Sequence, residues 1–192
     1  NRPQRLPAAG LIVAIPINIE TERLILRSVN ADDVGEQYLG WLNDPEVTRF
    51  LETVGCPDLN TLRDYVDATL ALDNVVFAAI IEPQMGYIGN IKLGPIDRRH
   101  NRADIGIMIG AQAAWGQGFA EESITALSRF AFGSLDIAKL FAGAHGGNRA
   151  SIRSFEKAGF DVEGIFKSHV NLDGDRDDIV MLGLVNPRSV NQ

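Results

Sequence analysis

The stretch Trp115-Gly116-Gln117-Gly118-Phe119-Ala120 decides how this chain is read, because it sets two glycines where an apolar strand pattern gives way to an amphipathic helix pattern. Glycine admits positive φ and lets a ligand come close to the backbone, while the first turn of a helix leaves N–H groups without intrahelical partners. Those donors, together with the positive end of the helix dipole, favour an anion. The loop is a candidate phosphate cradle.

Two familiar phosphate loops do not fit it. A P-loop requires Gly-Lys-Ser/Thr, and none follows here. A dinucleotide fingerprint requires a third small residue and an acidic residue at the end of the next strand. Asp136 stands at about the right distance but precedes that strand.

Working outward, Ala120, Ile124, Leu127 and Ala131 follow the i, i+4, i+7, i+11 spacing of a buried helix face, with Gly133 as a natural C-terminal stop. Upstream, the pattern predicts strands over 75–81, 86–93 and 103–109, separated by Glu82-Pro83 and Gly94-Pro95, which suggests an antiparallel meander. Before these come a strand over 22–27 and a helix capped within Asn30-Ala31-Asp32-Asp33 that runs through Tyr38, Leu39 and Leu42 and breaks at Asp44-Pro45. A second helix is predicted over 59–72, with Leu62, Val66, Thr69 and Leu70 on one face. Downstream, a strand over 139–144 leads to a helix capped by Asn148 and ended by Gly159-Phe160. Strands over 162–170 and 178–185 then form a hairpin that turns at Asp173-Gly174. This order implies an α+β fold with a mixed sheet and no internal repeat.

The chain has 192 residues, 45% hydrophobic and 22% charged, which suits one domain with a substantial core. The expected division is an N-terminal extension over 1–19, a single domain over 20–186 and a tail over 187–192. A formal charge of −7 argues against a nucleic-acid surface, which needs clustered Lys and Arg, and suits a cationic partner such as an amine. The lone Cys56 excludes an internal disulfide and a cysteine zinc cage, and fits a reducing, cytoplasmic compartment. Residues 11–17 are apolar but too short to span a bilayer and contain Pro16, so they read as an extension or a first edge strand, and no membrane association is expected.

The turn Asp173-Gly174-Asp175-Arg176-Asp177-Asp178 begins like an EF-hand loop, but Asp178 stands where glycine is needed and Leu184 where the bidentate Glu belongs. His100, His145 and His169 are scattered and form no metal or hydrolase motif, so no metal is expected. Trp41 and Phe50 flank Asn43-Asp44-Pro45 and are candidates for an aromatic pocket wall, core packing being the competing use.

Several stretches together carry a resemblance: residues 21–27 (Thr-Glu-Arg-Leu-Ile-Leu-Arg), 41–47 (Trp-Leu-Asn-Asp-Pro-Glu-Val), 103–106 (Ala-Asp-Ile-Gly), 115–122, and 148–160 from Asn148-Arg149-Ala150-Ser151 to Gly159-Phe160. In this order they resemble a GCN5-related N-acetyltransferase (GNAT) of the Rim-like branch, from about Thr21 to Leu184. The resemblance implies the GNAT fold: a mixed central sheet of about six to seven strands with a V-shaped splay, flanked by about four helices. It implies acetyl-CoA as cosubstrate. The acceptor would be a primary amine, either of a small molecule such as an amino sugar or at a protein N-terminus. The protein would be a monomer or homodimer.

By position, the resemblance implies that the backbones of Ile107, Met108 and Ile109 meet the pantetheine arm and thioester, and that Trp115, Gly116, Gln117, Gly118, Phe119 and Ala120 surround the pyrophosphate. Asn148, Ser151, Phe155 and Lys157 complete the expected cofactor contacts, with Asn148 on the pantetheine and Lys157 towards the nucleotide. Trp41, Phe50 and Asn90 are expected on the acceptor side. Many relatives place a tyrosine acid seven residues after the capping Asn, where this chain has Phe155, which cannot donate a proton. That leaves Ser154 or water to assist the thiolate and Asp104 or Glu122 as candidate base. Phe155 also motivates the alternative of a catalytically silent acyl-CoA-binding or sensory domain.

Overall fold

The computed structural model describes residues 13–52 and 55–189. Within them one eight-stranded mixed sheet, in spatial order β1-β2-β3-β4-β5-β6-β8-β7, carries helices on both faces. The strands are β1 (Asn18–Glu20), β2 (Ile25–Ser28), β3 (Val76–Glu82), β4 (Gly86–Asp97), β5 (Arg102–Ile109), β6 (Lys139–His145), β7 (Asp161–Leu172) and β8 (Asp175–Val185). The helices are α1 (Glu36–Leu42), α2 (Pro45–Thr48), α3 (Leu59–Leu70), α4 (Phe119–Ser134) and α5 (Arg149–Lys157).

The sheet has one strand more than the upper expectation, because Asn18–Glu20 pairs antiparallel with β2 as its edge. There is also one helix more. The first helix does end ahead of Asp44-Pro45, as its sequence implies, but Asp44 then caps the Glu46 N–H and Pro45 opens a further short helix in whose first turn its missing donor costs nothing. The single helix expected from Asn30 is instead a 3-10 turn over Ala31–Asp33, with its own capping box, followed by α1 after Gly35. Gly133 does not stop α4. The stop falls at Asp136, whose φ of 52° lets Ile137 N–H return to the Ala131 carbonyl. Nor does Gly94-Pro95 end β4, since pairing with β5 resumes at Ile96 after a register shift.

Two cores result from the alternation of side chains along the strands. On one face Leu24, Leu26, Ile91, Leu93, Ile105 and Leu140 meet Ile124, Leu127 and Ala131 of α4 and Ile152 and Phe155 of α5. On the other, Val75, Phe77 and Ala79 meet Tyr38, Trp41 and Leu42 of α1 and Leu62, Val66 and Leu70 of α3. Val13 and Ala14 N–H groups bond the Leu70 carbonyl, joining the chain ahead of β1 to the end of α3. Among the described residues no helix is long and apolar enough to cross a membrane.

Candidate active site

The site begins with a failure of strand pairing. β5 and β6 run parallel and pair only at Arg102↔Lys139, Ala103↔Leu140 and Asp104↔Phe141. Beyond that point β5 continues to Ile109 held by β4 alone, and β6 to His145 held by β8 alone, so the two strands splay into a V. A cleft of about 850 Å³ occupies the V, and its lining comes from both faces of the sheet: Ser151 and Phe155 on the α5 side, Phe50, Tyr65, Asp104 and His145 on the α3 side. Backbone amides along the open arms are available to a ligand that passes through.

Gly106 and Gly143 widen this slot. The register of the paired residues, carried two steps up both strands, sets them level with each other. A Cβ on Gly106 would meet nothing within 4 Å, so its missing side chain leaves open space and is not a packing demand.

The glycine loop lies at the end of β5, after a 3-10 turn over Gln112–Ala114. Gly116 and Gly118 take φ of 75° and 81°, and Gly118 is the N-cap of α4. The first α4-turn bond runs from Glu122 N–H to the Gly118 carbonyl, and among the described residues the backbone N–H groups of 116–121 are paired with no acceptor. This run of unpaired donors at a helix N-terminus, exposed over Gly116, Gln117 and Gly118, fits a pyrophosphate. Trp115 is 42% exposed and its indole N–H donates to the Ile109 carbonyl at 2.8 Å, so it ties the loop to the end of β5. Phe119 is buried beneath the Arg23 guanidinium, whose NH1 donates to the Gln117 carbonyl at 2.8 Å.

Ile107 and Met108 line the cleft, as do Asn148, Ser151 and Phe155. Asn148 caps α5 by accepting from Ser151 N–H at 3.1 Å. Phe155 is 2% exposed and packs edge-on against Phe160. Ser154 lies one helical step from this surface and is not among the cleft residues; its hydroxyl donates to the Ala150 carbonyl at 2.9 Å. Lys157 is exposed and pairs with Glu121 beside the glycine loop at 3.7 Å, outside the cleft.

The two candidate bases are separated by the sheet. Asp104 lines the cleft at the apex of the V. Burial raises its carboxyl above the ordinary carboxylate range, Lys92 pulls against this and Glu52 adds to it. Glu122 lines a different groove and accepts from Thr21 Oγ1 at 2.7 Å, Arg23 N–H at 2.9 Å and Arg23 Nε at 2.7 Å. Burial opposes its ionisation, but these hydrogen bonds together outweigh burial and hold its pKa below the usual value. Its lone pairs are engaged away from the cleft.

Of the residues expected on the acceptor side, Phe50 and Asn90 line the cleft. Asn90 is 5% exposed; Tyr87 OH donates to its Oδ1 at 2.5 Å, while its Nδ2 has no partner among the described residues. A buried donor left unpaired inside a cleft suits a polar ligand group. Trp41 does not reach the cleft. It is core, 4.8 Å from the Tyr87 ring centroid and pressed so closely on Gly110 that a Cβ there would overlap the indole.

From sequence alone His145 belongs to no motif and carries no site role. Its Nδ1 lies 3.2 Å from Asp177 Oδ2, its ring packs against Phe50, and it lines the cleft together with Lys92, Tyr65 and His169. The alternation from Lys139 puts residues 141, 143 and 145 on one face, a signal available from sequence, but the partner on β8 depends on a register that is not. Two other aspartates of the β7–β8 turn are engaged elsewhere, Asp173 with Arg49 and Asp178 with Lys167. Among the described residues no group of three or more potential metal ligands forms.

A family model for the acetyltransferase (GNAT) domain matches residues 23–161. The chain is 30% identical over 169 residues to the uncharacterized N-acetyltransferase p20 of Bacillus licheniformis, covering 86% of this chain and 94% of that protein. It is 28% identical over 182 residues to the uncharacterized N-acetyltransferase YoaA of Bacillus subtilis, covering 88% and 97%. In fold it is similar to the spermidine N-acetyltransferase of Vibrio cholerae solved with CoA and spermine, with a TM-score of 0.80 at 19% identity over 89% of this chain and all of that one.

Proposed function

This chain belongs to the acetyltransferase (GNAT) family, and we propose that the acceptor of its acetyl group is the primary amine of a small molecule. It is an N-acetyltransferase with acetyl-CoA as donor. The observation that carries the acceptor assignment is the two-sided cleft: a slot through the sheet lets the thioester arrive from the α5 side and an amine from the α3 side. The acceptor chamber is walled by α3 and the segment after α2, which suits a compact molecule. The Vibrio cholerae protein of the same fold is named for a small polyamine, which agrees with this class.

In this reading the backbones of Ile107 and Ile109 and the Asn148 side chain hold the pantetheine, the N–H groups of 116–121 hold the pyrophosphate, and Lys157 reaches towards the nucleotide. The amine attacks the thioester carbonyl directly in a ternary complex. The oxyanion is met by a β5 backbone N–H near Met108 or Ile109, and the electron pair of the C–S bond leaves on sulfur. Asp104 draws the positively charged acceptor into the chamber, and Asn90 Nδ2 donates to one of its polar groups. Glu122 and Ser154 serve the scaffold, and water protonates the departing thiolate in place of the missing tyrosine. Trp115 stands at the head of the loop, where Rim-like members commonly carry tryptophan in place of the Gln or Arg of the general family pattern, and this supports membership of that branch.

The test is CoA-thiol release from acetyl-CoA over peptides starting with Ala or Ser, aminoglycosides, polyamines and nucleotide-linked amino sugars. Turnover on one of the small-molecule classes is expected. Turnover confined to the peptides overturns the acceptor assignment, and CoA binding without turnover on any amine supports the silent-domain alternative.

A further inference from the structure

The geometry points to His145 as the general base of the transfer, with Asp177 as its positioning residue; this rests on the acetyl-transfer reading above. The β5–β6 pairing ends at Asp104↔Phe141, and the same register carried four steps further sets His145 level with Met108 across the open slot. That is the height at which the oxyanion donor stands on the opposite arm. Asp104 is four residues back at the apex, about 13 Å away at the rise of a strand, which is too far to take a proton from the attacking nitrogen directly.

The histidine is held as a base needs to be. Asp177 Oδ2 lies 3.2 Å from Nδ1, and the same oxygen accepts from Gly147 N–H at 3.2 Å, which pins the carboxylate independently of the ring. The His145 and Asp177 side chains are 12% and 19% exposed, and Phe50 packs on the imidazole at 5.7 Å. With Nδ1–H donating to Asp177, Nε2 is left as an acceptor, and no protein donor among the described residues is paired with it. The titratable or charged groups around His145 are Asp177 on β8, which holds its ring, His169 on β7, Asp173 in the β7–β8 turn, Asp104 on β5, Lys92 on β4, Tyr38 on α1, Tyr65 on α3, Cys56 ahead of α3, Glu46 on α2, and Arg49 and Glu52 after α2.

The step balances without a further reactant. The acceptor ammonium gives one proton to Nε2 and the freed lone pair forms the C–N bond. The C–S pair leaves as thiolate, the second nitrogen proton lost on collapse reaches the sulfur through water, and the proton on His145 passes to solvent.

The test uses the full chain, with acetyl-CoA and the amine that gives the fastest thiol release among spermidine, kanamycin and an Ala-starting peptide. His145→Gln is expected to lower kcat about 10²- to 10⁴-fold, to remove the acidic limb of the kcat/KM profile and to leave the KM for acetyl-CoA within about twofold. Asp177→Asn is expected to lower kcat less and to displace that limb. A 15N spectrum of the neutral form of the imidazole, before any substrate, is expected to show Nδ1 protonated and Nε2 bare. An unchanged acidic limb in His145→Gln, a rate loss that follows only a loss of folded protein on melting, or an Nε2–H tautomer overturns the assignment while leaving acetyl transfer in place. No thiol release by the unmodified protein with any of the three amines counts against the acetyl-transfer reading itself and removes this proposal with it.

Discussion

Replacing Gly118 by aspartate separates the role of the loop in holding a phosphate from its role in holding the fold. Gly118 sits at φ 81° and ψ 5° as the N-cap of α4, where an L-residue costs about 1–2 kcal/mol and Asp, tolerant of this region, falls at the lower end. At this positive φ the side chain is outside the extended cap geometry that accepts from the first turn, so an aspartate regains only about 0.3–1 kcal/mol from its charge at the positive end of the helix dipole. The Cβ would meet only the flexible end of Arg23 at 3.5 Å, so the net change in stability stays within about 1 kcal/mol, a shift of about 2–4 °C or less in a domain of this size. Cofactor affinity responds differently. A carboxylate about 5 Å from each of two phosphate charges opposes them by about 0.8–3 kcal/mol per pair for an effective dielectric between water and a protein surface. The loop is exposed, so the weaker end applies, giving about 2 kcal/mol in all, or about 30-fold in Kd. Calorimetric titration with CoA measures this, and S-acetylpantetheine, which lacks the pyrophosphate, is the internal control: its KM stays unchanged. An unaltered Kd for CoA, or an equal loss with the truncated donor, refutes the assignment of the N–H groups of 116–121 to the pyrophosphate.

Gly106→Leu is expected to melt within about 2 °C of the parent, since its side chain enters open space, yet to lower kcat/KM for the amine at least about 10²-fold by filling the slot; unimpaired turnover shows that the amine does not pass there. Glu122→Gln tests the scaffold reading. The folded pKa of Glu122 lies below its ordinary 4.5, so its stabilisation is fully present above that pH and is lost as pH falls through the folded value. The variant should therefore melt about 3–6 °C lower at neutral pH, show a smaller gap at acid pH in calorimetry, and retain kcat; a hundredfold fall in kcat would return Glu122 to the chemistry. For Asp104 the sign is opposite. Its folded pKa is raised, so ionisation at neutral pH costs stability, and Asp104→Asn should melt at or above the parent at pH 7 while losing about tenfold in kcat/KM for a cationic amine. A lower melting point with unchanged kinetics would count against the acceptor role.

Much of the frame was legible because its signals are local. The face Leu62, Val66, Thr69 and Leu70 is the buried face of α3, and Ala120 aside, the spaced residues Ile124, Leu127 and Ala131 are buried on α4. Asn148 caps α5 and Gly159 follows its end at φ 96°. The errors fell where a residue type has two uses. Pro45 follows the break after α1 and also opens the first turn of α2, the second use being the one not expected, and Gly133 stops a helix only if the chain takes positive φ there, which it does at Asp136 instead. Trp41 and Phe50 are near neighbours in sequence and both aromatic, yet Gly110 leaves room for one indole in the core while Phe50 faces the cleft.

By itself, the order of short-range patterns determined the α+β class and the helix N-terminus with unpaired donors, since periodicity, capping and glycine φ depend on residues within a turn or two of each other. Which acids and bases share a chamber was decided only in three dimensions. Asp104 and Glu122 lie eighteen positions apart and were equal candidates in the sequence, but the sheet sends one into the slot and ties the other to Thr21 and Arg23 on a different surface. His145 meets Asp177 through the β6–β8 register, and the V exists because β5 and β6 pair for three residues and then separate. Such relations belong to strand register, which long-range hydrogen bonding and burial choose together, and which no local stretch of the chain encodes.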